Sequence, residues 1–168
     1  PDVGQLRDDL EILAAHHRPV GSQGEADAVR YLRDRFEEMG YSVTLQPYTD
    51  GQGRTGHNVA AVKAASVPDA DILVLSAHHD SVPTAYGAND NASGVAALLY
   101  TAEALRNVPT DTEVRFLSFT DEENGKNGSR TYTASLTEEE RTRIVGAIQF
   151  DMLGGLGSTG TLVCTVDG

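Results

Sequence analysis

The chain has little of several features that mark other classes of protein. It has one cysteine, Cys164, so no disulfide can form within it. No apolar run approaches the roughly 18–20 residues that a membrane-spanning helix needs. Positive charge is scarce, because 13 Lys and Arg stand against 25 Asp and Glu, a net charge of −12. Such an acidic chain repels phosphate backbones, so we expect neither a nucleic-acid nor a membrane partner.

What remains is the composition of one folded domain. The 168 residues are 39% hydrophobic and 23% charged, without repeats or low-complexity segments, which excludes a disordered tail or a fibrous repeat. We therefore expect a single domain over 1–168, and the acidity is compatible with a cationic partner, either a metal ion or a substrate amine. The chain begins at Pro1 rather than Met, so we expect that a segment was removed before it.

The pattern of apolar residues predicts an α/β fold. Helical spacing indicates helices over 3–16, 24–39 and 93–106, and a capping box at Thr137 and Glu140 opens a short fourth helix. Alternating or continuous apolar runs indicate strands over 41–46, 57–63, 71–77, 113–119, 145–150 and 161–166. This order predicts a mixed, largely parallel sheet flanked by helices on both faces.

Acidic and imidazole side chains follow the buried strands directly. Because the carboxyl ends of parallel strands share one edge of a sheet, these side chains should meet there. They are His78, Asp80, Glu122, Glu123 and Asp151, and a further acid, Asp90, stands just before a helix. Two carboxylates about 4 Å apart repel by roughly 4 kcal/mol at an effective dielectric constant near 20. The cluster therefore needs a proton or a bound cation, and its ligand types suit zinc.

Spacing also suggests roles. Residues two apart on a strand point the same way, so Asp80 can lie behind His78 and accept the proton of the ring nitrogen that faces away from a metal. Glu122 and Glu123 are adjacent and point in different directions. One of them can ligate a metal while the other takes a proton from water, as metal-assisted hydrolysis requires.

Four segments carry a resemblance to a known family. They are His78-His79-Asp80-Ser81-Val82, Gly87-Ala88-Asn89-Asp90-Asn91-Ala92-Ser93-Gly94, Asp121-Glu122-Glu123-Asn124-Gly125 with Gly128-Ser129, and Phe150-Asp151-Met152-Leu153-Gly154. In this order, and with Arg18-Pro19-Val20-Gly21-Ser22 upstream, the chain resembles the zinc aminopeptidases with paired metals. These include bacterial secreted leucine aminopeptidases and the catalytic domain of glutamate carboxypeptidase II.

The resemblance implies a role for each site residue. His78 and Asp151 would bind one Zn²⁺ and Glu123 the other, with Asp90 bridging both. Glu122 would be the general base, Asp80 would orient His78, and the Asp90–Asn91 peptide bond would be cis. The substrate would be a peptide, attacked at its N-terminal residue.

The chain departs from the family at two places. An aromatic residue usually stands where His79 is found, and strand alternation turns His79 away from the metal. The family also takes a second-zinc histidine from a later segment, but this chain ends at Gly168. We therefore expect a domain truncated at its C-terminus, with one complete protein ligand set and an unfinished sheet that favours self-association.

Two alternatives stay open beside a metallo-aminopeptidase. The chain could be a catalytically silent metal-binding fragment or assembly module, or a single-zinc enzyme like glutaminyl cyclase. An aminopeptidase is preferred to a carboxypeptidase because no arginine cluster for a substrate carboxylate is evident. Family members are frequently exported, so the resemblance implies an extracellular or cell-envelope location.

Overall fold

A five-stranded mixed sheet forms the centre of the molecule. The computed structural model describes residues 1–155, and the strand predicted over 161–166 lies outside them. The strands are β1 (Ser42–Thr49), β2 (Thr55–Lys63), β3 (Ile72–His78), β4 (Glu113–Phe119) and β5 (Ile144–Gln149). Their order across the sheet is β1-β2-β4-β3-β5.

The parallel part of the sheet is the part that carries the predicted site. Strand β3 pairs in parallel with β4 on one side and with β5 on the other. The three strands are the apolar runs that the sequence predicts to be buried, and β4 has the predicted bounds. Strands β3 and β4 are mostly buried, but β5 is mostly exposed, because no described strand covers its outer edge. Their carboxyl ends therefore lie at one edge, directly before the acidic segments.

The other two pairings are antiparallel, so the sheet is less parallel than predicted. A five-residue turn, 50–54, joins β1 to β2, and a turn this short allows only an antiparallel hairpin. Asp50 closes the turn by accepting hydrogen bonds from the backbone N–H groups of Gln52 and Arg54. Strand β2 then pairs antiparallel with β4. The hairpin extends the sheet away from the site.

Three helices cover one face of the sheet. They are α1 (Val3–Leu13), α2 (Gln23–Glu38) and α3 (Ser93–Leu105), each close to its predicted bounds. The apolar stripes of α2 and α3 pack on alternate residues of β2, β3 and β4, and α1 packs on α3. The side chains at the centre of this core are fully buried: Leu32, Phe36, Leu98, Leu99 and Phe116. Within residues 1–155, no helix has both the length and the apolar character to cross a membrane.

The opposite face carries two short helices. Helix α5 (Glu138–Arg143) begins with the predicted capping box between Thr137 and Glu140. Helix α4 (Asn127–Ser135) was not predicted, because its sequence contains glycine, serines and threonines, which form helices poorly. It is held by tertiary contacts instead: Tyr132 packs on a second apolar cluster that includes Leu117 and Phe119. Helices thus lie on both faces, as predicted.

Gly128 lets α4 approach the segment that follows β4. A Cβ atom at this position would lie less than 3.0 Å from the carbonyl oxygen of Thr120 and from Asn58 Oδ1. We expect Gly128→Ala to lower the free energy of unfolding by about 1–3 kcal/mol, the usual cost of overpacking. Urea unfolding measures the change. Gly51→Ala is the matched control, since nothing lies within 4 Å of its Cβ position, and an equal effect of the two substitutions would contradict the prediction.

Candidate metal centre

Three residues from separate segments meet at the carboxyl edge of the sheet. His78 ends β3, Asp151 follows β5, and Asp90 lies in an irregular helical turn, Ala88–Ala92, before α3. His78 Nε2 is 3.0 Å from Asp90 Oδ1 and 3.8 Å from Asp151 Oδ1. The imidazole is 1% exposed, whereas the two carboxylates are 44% and 39% exposed. The group is therefore anchored inside the protein and open on the carboxylate side.

Asp80 supports this group from behind. Its Oδ1 atom is 3.3 Å from His78 Nδ1, which is the predicted contact. Its two oxygens also accept hydrogen bonds from the backbone N–H groups of Glu122 and Glu123. Burial alone would raise the pKa of Asp80, but the hydrogen bonds from His78 and from Glu122 lower it. Asp80 is therefore ionised and fixes both the imidazole and the loop after β4.

The two glutamates take different positions. Glu122 Oε2 is 4.0 Å from His78 Nε2, so its carboxylate borders the His78 group. Glu123 is not among the three residues whose ligand atoms lie within 4.8 Å of one another. Burial and the negative charge of Asp90 raise the pKa of Glu123. The role that the resemblance implies for Glu123 at a second metal therefore stays a prediction.

His78 carries the positive charge of the cluster when no metal is bound. Burial lowers its pKa, but the hydrogen bond and charge of Asp80, with the charges of Asp151 and Glu122, outweigh burial and raise the pKa to about 9. Burial and the charge of Asp90 raise the pKa of Asp151. Both shifts have the same origin, since carboxylates this close together favour any bound proton or cation.

The donor set fits a divalent metal. One imidazole nitrogen and two carboxylate oxygens lie within 4.8 Å of one another, close enough for a single ion with ligand distances of about 2 Å. Imidazole with carboxylates is a set that zinc accepts readily. Asp80, on the far nitrogen of His78, is the type of partner that metal-binding histidines commonly have.

His79 points away from this group, as strand alternation predicts. It is fully buried, and its Nδ1 atom is 3.0 Å from Ser118 Oγ on the neighbouring strand. Its Nε2 atom lies 3.7 Å from Glu25 Oε1, so both ring nitrogens of His79 face polar groups other than the three ligands. The presence of His79, where the family usually has an aromatic residue, thus leaves the three ligands unaffected.

Sequence reasoning assigned no role to Arg18 or Asn58. The Arg18 guanidinium is buried and donates hydrogen bonds to the carbonyl oxygens of His79, Tyr86 and Gly87, which links the end of β3 to the turn that carries Asp90. Asn58 accepts a hydrogen bond from the backbone N–H of Thr120 and donates one to the carbonyl of Gly128. Arg18 is part of the segment that carries the resemblance, which was the available signal.

Comparison with known proteins decides the family. Residues 58–164 match the profile of Peptidase family M28. The chain belongs to this family. Aminopeptidase YwaD of Bacillus subtilis is 40% identical over 114 residues, 67% of this chain and 24% of its own length. Leupeptin-inactivating enzyme 1 of Streptomyces exfoliatus is 35% identical over 151 residues, 86% of this chain and 34% of its own length. The chain thus spans about a quarter to a third of these curated relatives.

Solved structures show the same fold. An aminopeptidase from Aneurinibacillus sp. strain AM-1 superposes with a TM-score of 0.85 at 24% identity, over 91% of this chain and 71% of that one. A glutaminyl cyclase from Fimbriiglobus ruber superposes with a TM-score of 0.70 at 19% identity, over 87% of this chain and 59% of that one. Both similarities concern the fold. The predicted α/β architecture of the family is therefore confirmed.

The raised pKa of His78 predicts a strong pH dependence of metal binding. Zn²⁺ binds the neutral imidazole, and at pH 7 His78 is protonated because its pKa is about 9. We expect the affinity for Zn²⁺ to rise about tenfold per pH unit from pH 6 to 8 and to level off above about pH 9. Calorimetric titration in two buffers of different ionisation enthalpy should show release of about one proton per ion at pH 7. An affinity that stays constant from pH 6 to 8 would contradict the assignment.

Proposed function

We propose that the chain is the metal-binding part of a zinc-dependent aminopeptidase that removes N-terminal residues from peptides. The observation that carries the proposal is the convergence of His78, Asp90 and Asp151, with Glu122 beside them, in a chain of family M28. An aminopeptidase is among the curated relatives, and a structural relative is described as a zinc aminopeptidase. Family, donor set and neighbouring carboxylate all favour hydrolysis.

The described residues supply one complete protein ligand set. His78, Asp90 and Asp151 would hold one Zn²⁺, while Asp90 and Glu123 would contribute to a second position. A bound ion would act as a Lewis acid, which polarises a scissile carbonyl and lowers the pKa of water. The position of Asp151 supports this assignment, because its ligand atom lies within 4.8 Å of those of His78 and Asp90.

Glu122 is the residue that we assign as the general base. Its carboxylate borders the ligand group, and its backbone N–H is held by Asp80 rather than by the loop itself. Oε2 of Glu122 would take a proton from the attacking water and pass it to the leaving amine. Asp80 keeps this loop in a fixed position relative to His78, which a base must have to act on a substrate that the metal holds.

The open side of the centre favours an amine terminus. Asp90 and Asp151 expose their carboxylates to solvent, and Glu122 is partly exposed. Once Zn²⁺ neutralises Asp90 and Asp151, Glu122 and Glu123 would keep this side negative, and negative charge attracts an ammonium group and repels a carboxylate. This supports an aminopeptidase rather than a carboxypeptidase, in agreement with the acidity of the whole chain.

Substitution of Glu122 tests the proposal. We expect Glu122→Gln to lower kcat for an aminoacyl chromogenic substrate by about 10²–10⁴-fold, because the amide cannot accept the proton. Elemental analysis should give near one Zn²⁺ for the variant and for the original chain. Glu138→Gln, on the exposed start of α5, is the control and should leave kcat unchanged.

The other outcomes separate the alternatives. Unchanged hydrolysis in Glu122→Gln would exclude Glu122 as the base. Zinc binding without hydrolysis in the original chain would support the silent metal-binding module. Cyclisation of an N-terminal glutamine peptide would support the glutaminyl cyclase alternative, whose fold is similar.

We also propose that the chain self-associates through β5. Among the described strands, β5 stands at an edge of the sheet, and its residues Val145 and Ile148 are 63% and 50% exposed. An exposed apolar edge strand is a template for pairing with a second chain. Light scattering coupled to size exclusion should give the mass of a dimer, and Val145→Lys should reduce it to that of a monomer. A monomeric original chain would contradict the proposal.

A further inference from the structure

Three side chains of the turn before α3 bind the backbone of the segment after β5. The backbone N–H groups of Met152, Leu153 and Gly154 donate to Asn91 Oδ1, Ser93 Oγ and Asn89 Oδ1, respectively. Every second residue of the turn therefore holds one of three consecutive amides. The seam formed by residues 89–93 and 150–154 joins the segments that carry Asp90 and Asp151.

Asn91 differs from the other two members of this seam. It is fully buried, and its amide group binds both sequence neighbours of Asp151. Its Nδ2 atom donates to the carbonyl of Phe150 at 2.9 Å, and its Oδ1 atom accepts from the N–H of Met152 at 3.3 Å and from that of Gly94 at 3.0 Å. Asn91 itself follows Asp90 directly. The side-chain amide of Asn91 thus binds the backbone on both sides of Asp151, while the backbone of Asn91 is bonded directly to Asp90.

Gly94 gives independent evidence that this amide needs its space. A Cβ atom at Gly94 would lie less than 3.0 Å from both polar atoms of the Asn91 amide and from the carbonyl oxygen of Phe150. The N-terminus of α3 can therefore approach the amide only without a side chain at this position. The Asn91 amide is therefore held on one side by the N-terminus of α3 and on the other side by the segment after β5.

We infer that Asn91 is a positioning residue that sets the separation of the Asp90 and Asp151 carboxylates and thereby the affinity of the metal centre. The inference rests on the proposed metal site. Asn91 touches neither metal nor substrate and acts through the backbone of the two ligands. Residues that orient metal ligands typically contribute 10–100-fold to metal affinity.

Zinc affinity of matched variants tests this role. In competition with a chelating dye, we expect Asn91→Ala to bind Zn²⁺ about 10–100-fold more weakly than the original chain. Asn89→Ala should change the affinity less than about threefold, because Asn89 binds Gly154, three residues beyond Asp151. Val95→Ala, in the fully buried core of the same helix, controls for loss of stability and should leave the affinity unchanged.

A second variant keeps the test decisive if Asn91→Ala does not fold. Gly94→Ala removes no polar group and adds a residue with higher helix propensity, yet it displaces the Asn91 amide. We expect it to weaken Zn²⁺ binding like Asn91→Ala, and to change the visible absorption spectrum of the Co²⁺-loaded chain, which reports the ligand geometry. Equal affinities of Gly94→Ala and the original chain would overturn the inference. Failure of the original chain to bind Zn²⁺ would instead overturn the proposed metal site.

Discussion

The structure depends on holding several carboxylates around one buried imidazole at the edge of a sheet. In an ion-free chain the carboxylates are partly buried and repel one another, and burial together with the charge of Asp90 raises the pKa values of Asp151 and Glu123. The surrounding carboxylates favour the protonated imidazolium of His78 and raise its pKa to about 9. Most of the remaining polar architecture around the site serves to keep these groups from moving apart or into solvent.

Hydrogen bonds to the backbone, rather than apolar packing, hold the residues of the site in place. Asp80 binds the N–H groups of Glu122 and Glu123, Asn91 binds both neighbours of Asp151, and Arg18 binds the carbonyl of Gly87 in the turn before Asp90. Buried polar groups whose hydrogen bonds are all made resist displacement, because a broken bond leaves an unsatisfied group in a low-dielectric interior. Asp90 and Asp151 therefore lie outside the strands, but hydrogen bonds hold the backbone on which they stand.

The sequence predicts the fold and the convergence of the site for one physical reason. Buried parallel strands have continuous apolar runs, and polar residues directly after such runs must meet at one edge, so His78 and Asp151 could be placed together from 71–77 and 145–150 alone. Helix α4 escaped prediction because tertiary packing of Tyr132 stabilises a sequence of low helix propensity. Asn91 and Arg18 stand in segments that carry the resemblance, but their contacts escaped prediction because most of their partners are backbone atoms distant in sequence.

The negative charge of the centre extends beyond the three residues that would hold one ion. A single divalent ion on His78, Asp90 and Asp151 neutralises the two carboxylates that bind it and leaves Glu122 and Glu123. Asp80 keeps its charge, because the hydrogen bonds from His78 and from Glu122 lower its pKa against the effect of burial. Burial and the charge of Asp90 raise the pKa of Glu123, so neutralisation of its carboxyl by a proton or a cation is favourable. The repulsion that favours a cation on His78, Asp90 and Asp151 therefore reaches Glu123 through the charge of Asp90.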